Sequence, residues 1–191
     1  MDPHTLVGII AGIVYTIGYL PYIREVRSGT TKPNLASWIG WSFVLLIGSA
    51  AQIAKGASWS VLLPIAALIG DMIVTILAFR KGYVHFSVLD KTCLGLGVAA
   101  ILLWLITNEP LTALILAVSA DFIVGVPTFV KTFKDPLSEG PMGWGFFALG
   151  SLLAFGATAQ FDINNLAYPV EFVLLNGIVF FFALRGRLKT V

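Results

Sequence analysis

The chain has 191 residues, of which 58% are hydrophobic and only 12% charged, and its mean hydropathy is +0.91. A water-soluble domain of this size cannot hide so much apolar surface, so composition excludes a soluble bundle and makes lipid the solvent. With a formal net charge of +2 and one cysteine, Cys93, inside an apolar run, no internal disulfide can form, and neither a cofactor nor a nucleic acid partner is expected.

Apolar runs long enough to cross a bilayer fall near 5–23, 36–54, 61–79, 91–107, 111–130, 142–160 and 166–184. The start, MDPHTLVG, lacks the basic region of a signal peptide, so the first run reads as a retained helix. That run carries Gly8-x-x-x-Gly12, a pattern for close helix packing, then Tyr15, and it ends near Pro21, where a missing backbone donor allows a kink. The second opens with Trp38 and Trp41 and closes with Gln52. Trp38, like Trp144 at the start of the sixth run, sits where an interface anchor is expected, whereas Trp41 lies one turn deeper, where it could stack against a solute. The third contains Pro64 and Asp71. The fourth, interrupted by Gly95 and Gly97, reads as the shortest span. Asp121, Gly125, Pro127 and Thr128 follow on the fifth, Gln160 ends the sixth, and Glu171 and Asn176 lie on the seventh. Gln52 and Gln160 together suggest an outer gate.

Charge orders these spans. Eleven of the twelve basic residues, from Arg24 to Lys189, fall on one side of a seven-span layout, and Lys55 alone falls on the other. By the positive-inside rule the N-terminus is then outside and the C-terminus cytoplasmic. Dropping the fourth run would scatter the charges over both sides. The expected fold is therefore all-α and integral to a membrane, with a first triple-helix bundle over 1–83, a linker helix over 84–108 and a second bundle over 109–191. Short loops suggest a prokaryotic inner membrane, and a homo-oligomer remains compatible with the layout.

The two bundles repeat each other. LPYIREVRSGTTKPNLASW at 20–38 aligns without a gap on VPTFVKTFKDPLSEGPMGW at 126–144, so Pro21 and Trp38 match Pro127 and Trp144. On the third and seventh spans Pro64, Asp71 and Arg80 recur as Pro169, Asn176 and Arg185. An odd linker leaves both triplets in one orientation, so the duplication is parallel, and two such copies can rock around a site held between them.

This pattern resembles the PQ-loop and SWEET superfamily of small transporters over nearly the whole chain, with a proline near the cytoplasmic end of the first helix of each triplet. The glutamine that names the PQ-loop is Tyr22 in one copy and Thr128 in the other. The resemblance implies a 3+1+3 fold and alternating access around a central pocket. It also implies that Asp71 and Asn176 stand where SWEETs place paired asparagines against a sugar, and that Pro21, Pro127, Pro33 and Pro141 act as hinges or gates, the last two out of register with each other.

The chemistry lies in three carboxylates within the spans, Asp71, Asp121 and Glu171, with no lysine, arginine or histidine at comparable depth. An ionised carboxylate at mid-membrane costs several kcal/mol unless paired or hydrated, so each is expected to face a cavity or to be protonated. All three are candidates for proton coupling, Glu171 being near enough the outer surface to be hydrated. Tyr15, the repeat counterpart of Asp121, would face the same cavity and could donate a hydrogen bond to it. The expected solute site is thus Asp71, Asn176, Asp121, Tyr15 and Trp41. A basic rim of Arg24, Arg27 and Lys131, with Glu139, is expected at the cytoplasmic side, as topology or as an inner gate.

The leading functional expectation is a carrier for a small polar solute, sugar or sugar-like. The alternative is a proton-coupled carrier of an amino acid or cationic metabolite. A receptor of the same fold would want a basic cavity, a retinal protein a lysine in its seventh span, and an intramembrane protease or metalloenzyme a histidine at depth. None of these is present, so the chain does not read as an enzyme.

Overall fold

The computed structural model describes residues 3–54, 62–107, 109–158 and 163–188. Among these the chain is helical and carries no strand: α1 Pro3–Ile17, α2 Tyr19–Ser28, α3 Leu35–Ala54, α4 Leu62–Arg80, α5 Val88–Ile106, α6 Pro110–Lys134, α7 Pro141–Gly156 and α8 Ile163–Leu188, with one 3₁₀ turn at Pro136–Ser138. Lys55, Gln160 and Lys189, and the side chains of Gln52 and Pro64, lie outside the description.

Local chemistry explains the boundaries. Pro21 has no N–H for the Ile17 carbonyl and its ring crowds that group, so α1 stops at Ile17 and the chain re-enters helix at Tyr19, with Gly18 N–H donating to Tyr15 O at 3.0 Å instead. The two segments run on as one span, Pro3–Ser28. Pro127 and Pro169 instead lie inside the unbroken α6 and α8. Pro141 takes the first turn of α7, where its missing donor costs nothing, and Pro33 sits in the loop before α3. Gly29 closes α2 in the left-handed region at φ 82°, which favours glycine.

The fourth span corrects the expectation that it is the shortest: α5 has 19 residues, and α7 has 16. A capping box starts it before the apolar run begins. Ser87 accepts from Asp90 N–H, and the Asp90 carboxylate accepts from Ser87 N–H at 2.6 Å. Asn34 Nδ2 also donates to Asp90 at 2.9 Å, tying the start of α5 to the start of α3. On α6, Glu109 caps Thr112 N–H at 2.6 Å, which holds its carboxyl below the usual glutamate range.

The exterior is apolar and the polar residues lie within. Ile13, Phe79, Leu102 and Phe181 are each more than half exposed, whereas Asp71, Asp121, Glu171 and Asn176 are all at most 5% exposed. Water would not tolerate that arrangement, and lipid requires it. Among the described residues four spans are long and apolar enough to cross a membrane, namely Pro3–Ser28, Val88–Ile106, Leu111–Lys134 and Leu166–Leu188, and Pro141–Gly156 is a shorter apolar helix. The described chain is thus all-helical, and its apolar helices suit a membrane-embedded protein.

Neighbour relations position the interior. α4 packs on α3 and on the α1–α2 rod, and α8 packs on both α6 and α7; among the described residues the backbones of the rod and α3, and of α6 and α7, do not approach closely, although Tyr22 of the rod packs on Trp38 of α3. The rod lies against α7, and α3 against α6, while α5 packs mainly on α6. The ends of α2, α4, α6 and α8 and the starts of α3, α5 and α7 share one end. Lys81 donates there to Arg27 O at 2.7 Å, and Arg185 to Phe133 O at 2.7 Å. Every described basic residue therefore collects at that end.

Close approach of the rod to α7 depends on Gly150, where a Cβ would lie 2.8 Å from Tyr15 N and 2.9 Å from its Cα. Backbone cannot yield as a side chain can, so Gly150→Ala is expected to cost about 1–3 kcal/mol by overpacking. Gly8→Ala is expected to be silent, because its Cβ would meet nothing closer than 3.9 Å. Unfolding of both variants in detergent compares them, and equal stability would contradict this packing. Within the chain Gly8 thus makes no tight helix contact, and Gly8 and Gly12 both line a cavity.

Candidate functional site

That cavity, about 350 Å³, lies between the rod and α3, α4, α6, α7 and α8. Its wall is aromatic. Tyr15, Tyr19, Trp38, Trp41, Trp144, Phe147, Tyr168 and Phe172 all contribute, with Tyr15 and Phe147 centroids 4.9 Å apart and Trp41 and Trp144 6.0 Å apart. Among the described residues two carboxyls, Asp71 and Asp121, face the same space, and no lysine, arginine or histidine lines it. The lining runs from Trp38 and Trp144, nearest the basic end, to Gly8, Ser49 and Ala154 toward the opposite end.

Each polar group has a defined state. Tyr19 OH donates to Asp71 Oδ1 at 2.6 Å and lies 3.2 Å from Ala67 O, linking α2 to α4. Asn176 commits both amide hydrogens, to Ser151 Oγ at 3.1 Å and to Phe172 O at 2.8 Å. Trp41 Nε1 donates to Asp121 O at 3.1 Å. The Asp121 and Glu171 carboxyls interact across the α6–α8 contact, yet no well-formed hydrogen bond joins them, and both Glu171 oxygens are buried without a partner. Asp121 and Glu171 thus face each other without a donor from elsewhere, whereas Asp71 and Asn176 are engaged by hydrogen bonds. The described residues offer no group of three or more acids, histidines or cysteines able to hold a metal ion.

Toward the basic end the cavity is sealed. Glu139, wholly buried, accepts from Tyr22 OH at 2.8 Å and Trp144 Nε1 at 2.9 Å, and pairs with Lys131 at 2.5 Å. Lys131 also donates to Lys32 O, and Lys32 N–H donates to Ser138 O at 2.8 Å, so the loops after α2 and after α6 are knitted together. Arg24 and Arg27 are exposed and stand outside this cluster.

The five residues expected at the solute site, Asp71, Asn176, Asp121, Tyr15 and Trp41, all line the cavity. Tyr15 does not bond Asp121 as expected: its hydroxyl stands beside Asn176, and the tyrosine bound to a carboxyl is Tyr19. Glu171, a proton-coupling candidate, is only 4% exposed, which excludes the alternative of a hydrated surface acid; it sits behind Asp121 and does not line the cavity. Trp38 and Trp144 are 2% and 1% exposed and form part of the aromatic core, which overturns their reading as interface anchors. None of Pro21, Pro127, Pro33 and Pro141 touches the cavity. Tyr19 was findable, one turn beyond Tyr15 on the same face; Tyr168 and Phe147 carry no comparable signal.

No family model matches the chain, and comparison with curated proteins and with solved structures likewise gives no match.

Proposed function

We propose that this protein is a carrier for a small polar solute, working by alternating access of two three-helix bundles around the central cavity, in the manner of the PQ-loop and SWEET superfamily. The observation that carries the reading is an aromatic-walled cavity faced by two carboxyls and closed toward the basic end by interlocked loops. The 3+1+3 architecture is supported by the neighbour pattern: α4 touches both members of the first triplet, α8 both of the second, and the rod against α7 mirrors α6 against α3. Such reciprocal contacts are what a pseudo-twofold axis through the cavity produces. Seven spans with the basic end cytoplasmic follow from the same layout. Sugar transport draws support from the aromatic wall and Asn176; carriage of an amino acid or cationic metabolite, with proton coupling, draws it from Asp71, Asp121 and Glu171.

Reconstituted into liposomes, the protein is expected to exchange at least one labelled solute from a panel of sugars, amino acids and amines, saturably and above protein-free vesicles. No exchange of any member would overturn the carrier reading.

A further inference from the structure

We propose that the cavity selects a small organic cation, an ammonium compound without a carboxylate; the inference rests on the carrier reading for transport but not for binding. Three independent observations converge. The first is the charge of the lining: Asp71 and Asp121 face the cavity with Glu171 behind Asp121, and among the described residues no cationic side chain accompanies them. The carboxylate of a zwitterionic amino acid would find no partner there and would meet two acids. An ammonium group and a buried carboxylate instead offset each other's loss of water.

The second is which polar groups are free. A sugar needs several donors as well as acceptors, yet the Asn176 amide is spent on Ser151 and Phe172 and Tyr19 OH on Asp71, while Ser49 offers one unpartnered hydroxyl. The two oxygens of Glu171, 4% exposed, take no well-formed hydrogen bond and stand behind Asp121. Asp121, the member of the pair that faces the cavity, accepts when ionised and then calls for a donor-rich or cationic ligand. The third is the wall. Rings of Tyr15, Tyr19, Trp41, Trp144 and Phe147 surround the acids, and aromatic faces attract ammonium groups most strongly where water is excluded. A volume of about 350 Å³ suits a small molecule and not a peptide.

The test measures binding to the intact protein in detergent by tryptophan fluorescence, and uptake into proteoliposomes, with choline, its uncharged isostere 3,3-dimethylbutanol, glucose and glycine as probes. Choline is expected to bind saturably and at least tenfold more tightly than the isostere, and Asp121→Asn to weaken it at least tenfold. Because the isostere comparison uses the unaltered protein, it stands even if that variant folds poorly. Choline bound no better than its isostere, or glucose or glycine bound in preference, overturns the proposal while any uptake of those solutes keeps the carrier reading. Selective choline binding without uptake does the reverse.

Discussion

Replacing Glu139 by alanine is expected to destabilise the sealed state by about 3–5 kcal/mol, the cost of removing one partner from a buried ion pair. The effect is large because one buried carboxylate serves three donors, Tyr22 OH, Trp144 Nε1 and Lys131 Nζ. Without it the tyrosine and tryptophan donors are orphaned in a dry interior, and Lys131, about a quarter exposed, keeps a charge with only the Lys32 carbonyl to hold it. Exposed ion pairs contribute about 0–1 kcal/mol, and Glu139 is distinguished from them by its complete burial. Tyr22→Phe removes one donor and leaves the pair intact, so it should cost about 1 kcal/mol. Unfolding of the purified variants measures both, and an Ala variant as stable as the parent would show that the cluster does not hold the loops together.

Asp71→Asn is expected to lower solute exchange by about 10- to 100-fold while leaving the fold intact. One contact to a charged group contributes about 1.5–3 kcal/mol, and each 1.4 kcal/mol is tenfold in affinity. Stability should survive because asparagine keeps an acceptor for Tyr19 OH, now 2.6 Å from Asp71 Oδ1. Tyr19→Phe should behave in the opposite way, removing the donor that links α2 to α4 and costing about 1–3 kcal/mol of stability. Proteoliposome exchange and thermal unfolding on the same preparations separate the two effects. An Asp71→Asn protein that exchanges solute at the parental rate would remove Asp71 from the site.

The membrane class and the helix positions were legible because an apolar run needs no tertiary partner to declare itself: 36–54 and 61–79 lie within a residue or two of α3 and α4. The acids were legible for a related reason. A carboxylate in a lipid-spanning segment must face something other than lipid, and Asp71 and Asp121 do. What sequence could not resolve was azimuth. Trp38 and Trp144 stand near helix ends, where a tryptophan facing lipid headgroups and one facing the interior look alike, and only the packing shows both turned inward. Glu171 was misplaced because depth along the helix, not the face it presents to α6, was read. The role of Glu139 was hidden because its donors lie on three separated segments, Tyr22, Lys131 and Trp144. The break at Pro21 and its absence at Pro127 show equal prolines in aligned positions giving different backbones, which the alignment treats as one.

Alternating access is the central claim, and sided chemical labelling tests it most directly. Cys93 is the one cysteine of the chain and is buried, so a Cys93→Ala protein carrying Ala67→Cys presents a single thiol on the cavity wall, beside the Tyr19 hydroxyl. In oriented vesicles a membrane-impermeant thiol reagent is expected to reach it only from the face opposite the basic end. With Glu139→Gln added, labelling should appear from the basic face and fall from the other. A thiol reached from both faces at once would indicate a channel, and one reached only from the first face in every variant would indicate a fixed site; either result would contradict a carrier.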